Sequence, residues 1–126
     1  MDKEIIRTTK APLPLGPYSQ GIRVGDFLFI SAQAPIDPMQ GKLAGLDIES
    51  QTRQTLLNIR SILESAGLAL SNVVKVTVFL KSAGDFKKMN EIYMEFFSEN
   101  PPARTTVEAS LPVPDVLVTI DAVACR

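Results

Sequence analysis

The sequence predicts an α+β fold, a mixed sheet of about six strands with two helices packed on one face, and three observations carry that prediction. The hydrophobic patterns run in the order three strands, helix, strand, helix, two strands. Two helices of about 15 to 19 residues can cover only one face of such a sheet. Several strands are apolar on both faces, and no segment is left over to cover the second one. A homo-oligomer packed sheet to sheet meets that need, with clefts between subunits as natural ligand sites. Residues 1–126 read as a single domain without repeat, low-complexity segment or linker.

Each element has its own signal. "KEIIRT" is the first strand, and the prolines of "APLPLGPYSQG" rule out a helix after it. "GIRVGDFLFISAQA" holds two β-runs joined at Gly25-Asp26, a two-residue hairpin turn. Alternation there sets Phe27, Phe29 and Ser31 on one face and Leu28, Ile30 and Ala32 on the other. "IDPMQGKLAG" reads as a turn-rich connection. Thr52, Leu56, Ile59 and Leu63 fall at helical spacing, so a helix covers about residues 48 to 66, with Asp47 as N-cap and Gly67 as C-terminal stop.

"VVKVTVFLK" alternates as a strand, with Val74, Val76, Val78 and Leu80 on one face and Lys75, Thr77, Phe79 and Lys81 on the other. Ser82 and Asp85 have capping-box spacing before a second helix with Phe86, Met89, Tyr93 and Phe97 as its buried stripe. Pro101 ends it. "RTTVEA" and "VLVTIDAVA" are the last strands; in the second, Val116, Val118, Ile120 and Ala122 share a face and Asp121 points the other way.

Composition excludes several chemistries. The chain has no histidine and one cysteine, Cys125, so it offers no His/Cys zinc site, no Ser-His-Asp triad, no Cys-His pair and no intrachain disulfide. Catalysis must run on Arg, carboxylates, hydroxyls, Tyr, backbone groups and water. The net charge of −1 is spread without a basic cluster, which disfavours nucleic acid. No stretch reaches the about 20 apolar residues of a membrane span and the N-terminus lacks a signal-peptide core, so a cytoplasmic protein is expected. The glycines match neither a dinucleotide fingerprint nor a phosphate loop.

Among the remaining candidates Arg104 leads. In "PPARTTVE" it follows Pro101 and Pro102, which restrict the backbone, and precedes the stiff β-branched run Thr105, Thr106 and Val107. A guanidinium held there is a rigid fork for a carboxylate or phosphate; the alternative is an internal ion pair with Glu108. Asp121 lies mid-strand among apolar neighbours, where a carboxylate must be paired, hydrogen-bonded or protonated, and a raised pKa would suit a general acid or base. The alternative is an aspartate at the strand edge in contact with water. Tyr18, after Gly16-Pro17, can stack on or hydrogen-bond a ligand, and Asn90 either faces a pocket or sits exposed. Ser31 has neither a nucleophile elbow nor a histidine to activate it, so it is no covalent nucleophile.

Together "GPYSQG" (16–21), "FLFISAQAPIDP" (27–38), "QTRQTLLNI" (51–59), "VVKVTVFLK" (73–81), "FKKMNEIYMEFF" (86–97) and "PPARTTVE" (101–108) strongly resemble the Rid (reactive intermediate deaminase) or YjgF family, in order along nearly the whole chain. The resemblance implies a chorismate mutase-like fold assembled as a homotrimer, with ligand sites between subunits. It implies hydrolysis of small 2-imino acids or their enamine tautomers, such as 2-aminoacrylate and 2-aminocrotonate, to 2-oxo acids and ammonia, without a metal or organic cofactor. Carried over by motif, Arg104 binds the substrate carboxylate, Tyr18, Ser31 and Asn90 line the pocket, the backbone of Thr106 faces the imine end, and Asp121 orients the attacking water. Asp121 stands where many active members carry glutamate, Ala32 where glycine is common, and Thr106 where many carry cysteine. Two other readings compete with this one: a non-catalytic binder of a small carboxylate such as a 2-oxo acid, favoured by Asp121 in place of glutamate, and a ribonuclease that inhibits translation, which the charge and the missing histidine disfavour.

Overall fold

A computed structural model describes residues 2–126. Eight strands and two helices follow in order: β1 (Lys3–Ile6), β2 (Gly21–Val24), β3 (Phe27–Gln33), β4 (Ile36–Asp37), β5 (Lys42–Leu43), α1 (Ile48–Ser65), β6 (Val73–Leu80), α2 (Phe86–Phe96), β7 (Ala103–Glu108) and β8 (Val118–Cys125). Six of the strands form one mixed sheet in the order β1-β2-β3-β8-β6-β7. Only β6 and β7 run parallel, because the connection between them is the α2 crossover, which a parallel pair requires. The remaining pairs are antiparallel.

Both helices lie on one face, and the core fills the space between. Leu28, Ile30, Val76, Val78, Ile120 and Ala122 of the sheet meet Leu56, Ile59, Ile62 and Leu63 of α1 and Met89 and Tyr93 of α2. The strict in-out alternation of β8 follows from this one-sided cover. On the other face Phe27 and Phe29 are 46% and 48% exposed and Val107 is exposed at the far edge on β7, apolar surface that the chain itself leaves open. No helix among the described residues is long and apolar enough to cross a membrane.

Local chemistry sets the element ends. Gly25 takes φ +58° in the two-residue turn that joins Val24 to Phe27, a conformation that costs glycine little. Asp47 caps α1 by accepting from the Ser50 backbone N–H at 2.8 Å, and that bond holds its carboxyl below the usual value near 3.8. Gly67, at φ +76°, ends the same helix in a left-handed turn whose Leu68 N–H reaches back to the Leu63 carbonyl at 2.9 Å. Because the folded-state pKa of Asp47 is lowered, its stabilisation is present above its unfolded pKa and is lost as pH falls through the folded one. Asp47→Ala is therefore expected to lower Tm by a few degrees at pH 7 and by nothing at the acid end, a pattern that thermal scans across pH will check.

Four expectations need correction. A bulge between Ile30 and Gln33 puts an extra residue into β3, so Gln33 turns inward and Ala32 is exposed rather than sharing the face of Leu28 and Ile30. A second irregularity between Val73 and Lys75 buries Val73 and leaves Val74 46% exposed. The "IDPMQGKLAG" connection contains the short β4–β5 hairpin, whose two-residue strands are too brief to give a periodic signal. The Ser82/Asp85 capping box does not form: Asp85 makes no side-chain cap bond, and its N–H instead donates to the Ser82 carbonyl in a single 3-10 turn. Glu108, arriving from β7, accepts from the Ala83 N–H at 2.7 Å and takes over part of the capping. Phe86 consequently starts the helix at its rim, 45% exposed, while Met89, Tyr93 and Phe97 are buried as the stripe requires.

Candidate functional site

Arg104 enters the structure on β7 opposite Val76, whose side chain is buried under the helices, so the guanidinium points to the helix face. There its central carbon sits 4.7 Å from the Tyr93 ring centroid and 5.7 Å from that of Phe86. Phe86, Asn90 and Tyr93 fall at helical spacing along one stripe of α2, which lays two rings and an amide against the edge strand. Among the described residues no carboxylate lies within 4.0 Å of the guanidinium. Glu108, the internal partner that the spacing allowed, is engaged with the Ala83 N–H instead.

The polar groups around this cation are unusually short of partners. Asn90 Oδ1 and the Tyr93 hydroxyl are buried and make no hydrogen bond. Buried polar atoms are ordinarily paired, and such atoms on the helix that packs against a guanidinium without a carboxylate partner mark a surface shaped for something polar. Burial raises the Tyr93 pKa above the usual 10, opposed by the positive charge of Arg104, so the phenol stays protonated and can donate. Thr106, two residues beyond Arg104 and half-buried, shares its side of β7.

Tyr18, Ser31 and Asp121 lie elsewhere, Ser31 and Asp121 on the open face and Tyr18 in the loop tied to Ser31. Ser31 Oγ donates to the Ser19 carbonyl at 2.6 Å and its N–H donates to the Gln20 carbonyl at 2.9 Å, which stitches β3 to the loop that carries Tyr18. The Tyr18 hydroxyl accepts from the Leu15 N–H at 3.2 Å, fixing the ring across its own loop. Beside it lies a mostly apolar hollow of about 400 Å³, bordered by Leu15, Pro17, Tyr18, Ala32, Leu111 and Val113. Asp121 stands on β8 opposite Thr77, half-buried; burial raises its pKa above the usual 3.8, while the Thr77 hydroxyl and the Lys75 charge act against that rise.

The structure thus divides the six residues rather than joining them: Arg104 and Thr106 turn to the helix face that α2 and Asn90 cover, while Ser31 and Asp121 lie on the open face with Tyr18 in the loop that Ser31 anchors. Arg104 aligns with Val76 on the helix face, whereas Asp121 aligns with Thr77 on the open face. A sheet lies between them, so within one chain the guanidinium and the carboxylate cannot act on the same small molecule.

Several supporting residues carry a signal too weak to single out from sequence. Gln20 is fully buried: its Nε2 donates to the carbonyls of Thr8, Ala11 and Pro12 at 3.0, 3.3 and 2.8 Å, and its Oε1 accepts from the Thr8 N–H at 2.7 Å. One side chain therefore pins the proline-rich loop. Gln51 does the same for the segment before β8, donating to the Gly45 and Asp115 carbonyls and accepting from the Leu117 N–H. Gln20→Leu strands four backbone groups, and a loss of about 2 to 3 kcal/mol is expected, read as a lower urea midpoint at unchanged slope. Phe86 and Tyr93 were legible only as core; their spacing around Asn90 is the clue that they also face the strand that carries Arg104.

The chain is similar to known proteins over nearly its whole length. A family model described as endoribonuclease L-PSP matches residues 8–126. A RutC family protein of Pyrococcus horikoshii is 56% identical, covering 98% of each chain. The 2-iminobutanoate/2-iminopropanoate deaminase of Salmonella typhimurium is 42% identical over 96% of each chain. Among solved structures, Escherichia coli TdcF with bound serine superposes with a TM-score of 0.92 at 38% identity, covering 98% of each chain.

Proposed function

The chain belongs to the endoribonuclease L-PSP family, which is the Rid or YjgF family of its motifs, and from that premise we propose that it hydrolyses small 2-imino acids to 2-oxo acids and ammonia. The observation that carries the reading is Arg104: a half-buried guanidinium held against two aromatic rings, with no carboxylate partner among the described residues and orphaned polar atoms beside it. A planar fork of donors in that state matches a planar carboxylate, bidentately.

The chemistry asks little else of the protein. A protonated imine is already electrophilic at C2, so rate comes from orientation and from a placed water. Asp121 accepts a proton as the water oxygen bonds to C2, giving a tetrahedral amino alcohol. That proton passes to nitrogen, the C–N bond breaks with its electron pair going to nitrogen, and the C2 hydroxyl becomes a carbonyl by giving up its proton, which the departing ammonia takes to leave as ammonium. One iminium and one water yield one 2-oxo acid and one ammonium ion. A raised pKa suits Asp121 to this exchange, since it holds the proton more readily than an ordinary aspartate.

The separation of Arg104 from Asp121 supports an assembled site. In the proposed homotrimer, Arg104, Asn90 and Thr106 of one chain face Tyr18, Ser31 and Asp121 of the next, and the apolar open face with Phe27 and Phe29 is covered at the same time. Light scattering at working concentration tests the assembly.

The test of the activity is a competition. An amino acid oxidase generates 2-iminopropanoate from alanine, and semicarbazide traps what the protein leaves. Reduced trapping supports the deaminase; unchanged trapping sinks it. A second reading, a small-carboxylate binder without turnover, draws on the same Arg104 group, which stands complete without Asp121, and on the serine in TdcF. Calorimetry that shows binding together with unchanged trapping would select it. The endoribonuclease in the family's description has no support in a chain of net charge −1 without histidine.

A further inference from the structure

Lys75 precedes Thr77 by two residues on β6 and therefore shares the open face with Asp121. Its Nζ donates to Thr105 Oγ1 on β7 at 2.7 Å and approaches the Val76 carbonyl at 3.4 Å. An ammonium has three donors, so two directions are fixed and the third remains for a water toward Asp121, whose carboxylate lies more than 4.0 Å away. Within the strands of that face Lys75 is the cation beside Thr77, and Lys81 follows just beyond the end of β6. The other polar side chains on this face near Asp121 are Thr77 and Thr119, with Ser31 on β3 and Thr105 on β7; Cys125 stands further along β8 and Lys81 follows β6.

That arrangement answers a problem set by the reading of Asp121 as proton acceptor, on which this inference rests. A carboxylate among apolar strands loses its hydration, and a second chain packed over the open face would remove more. Hydroxyls alone do not neutralise it. We propose that Lys75 is a positioning residue for Asp121: its ammonium, anchored on Thr105, is the fixed counter-charge that keeps this carboxylate ionised and aimed at the water. The anchor lies next to Arg104 and Thr106 in the chain, so the strand that presents the carboxylate clamp also holds the charge behind the proton acceptor.

The experiment uses the assembled protein and two readouts, the Asp121 carboxyl titration by carbon NMR, assigned with Asp121→Asn, and the pH profile of kcat/KM for 2-iminopropanoate. Removing a positive neighbour favours the protonated form, so in Lys75→Met both the titration and the acidic limb move to higher pH. On the acidic limb the rate is then lower by about tenfold for every pH unit that the limb has moved, with KM little changed because Arg104 still binds the carboxylate. Lys75→Arg restores the wild-type profile. Thr105→Val, which loosens the anchor alone, gives a smaller displacement in the same direction and serves if Lys75→Met folds poorly. An Asp121 titration in Lys75→Met that coincides with wild type overturns the inference, with imine hydrolysis left standing. A displaced titration in Lys75→Met, when the wild-type protein hydrolyses no imine, supports the Lys75–Asp121 pairing and overturns the deaminase reading alone.

Discussion

Arg104→Ala is expected to lower kcat/KM for 2-iminopropanoate by about 10²- to 10⁴-fold while leaving the fold intact. The size follows from the loss of two charge-assisted hydrogen bonds, each contributing about 1.5 to 3 kcal/mol. Stability should barely move, because the guanidinium gives up only its stacking on Tyr93 and Phe86, roughly 0.5 to 1 kcal/mol, and no ion pair. Arg104→Lys keeps the charge and loses the fork, so its activity should fall between the two, chiefly through KM. Steady-state kinetics beside a thermal scan separates these outcomes. An Arg104→Ala variant with wild-type kinetics would remove the guanidinium from the reaction.

Asp121→Asn is the second large effect, a loss of about 10²- to 10⁴-fold in kcat through removal of the proton acceptor, at nearly unchanged volume. Paired with Arg104→Ala it tests the geometry as well as the chemistry. Each variant alone should be nearly inactive, but each carries one intact half of the proposed site. In a trimer whose sites draw Arg104 from one chain and Asp121 from the next, every mixed assembly contains a single whole site. Co-refolding the two variants in equal amounts should therefore restore about a quarter of wild-type activity. Sites built within one chain would restore none. The sheet between Arg104 and Asp121 makes the first outcome the expected one.

The elements were legible where periodicity is long. The α1 helix, with Thr52, Leu56, Ile59 and Leu63 all buried and Asp47 and Gly67 at its ends, and the strict alternation of β8 follow directly from pattern. What pattern could not reach is the relation between strands. Bulges in β3 and β6 turn Ala32 and Val74 outward because pairing with β8, not local sequence, decides where an extra residue goes. The same limit applied to the site. Arg104 stood out through its proline frame, but that it turns toward α2 while Asp121 turns away depends on the register of β6 with both of its neighbours. Gln20 and Gln51 were invisible for another reason: a buried glutamine shows its partners only when distant backbone arrives beside it.

The position of β7 has a consequence for how the site lives in time. As the outermost strand, paired on one side only, it exchanges its amide hydrogens through openings that cost less than those of β6 or β8 at the sheet's centre. Arg104 travels with it. The proposed carboxylate clamp is therefore carried by the part of the sheet that frays first, and on warming it should slacken while the core still holds. A bound carboxylate would tie β7 down, so protection of its amides is a direct and residue-resolved signal that the site is occupied.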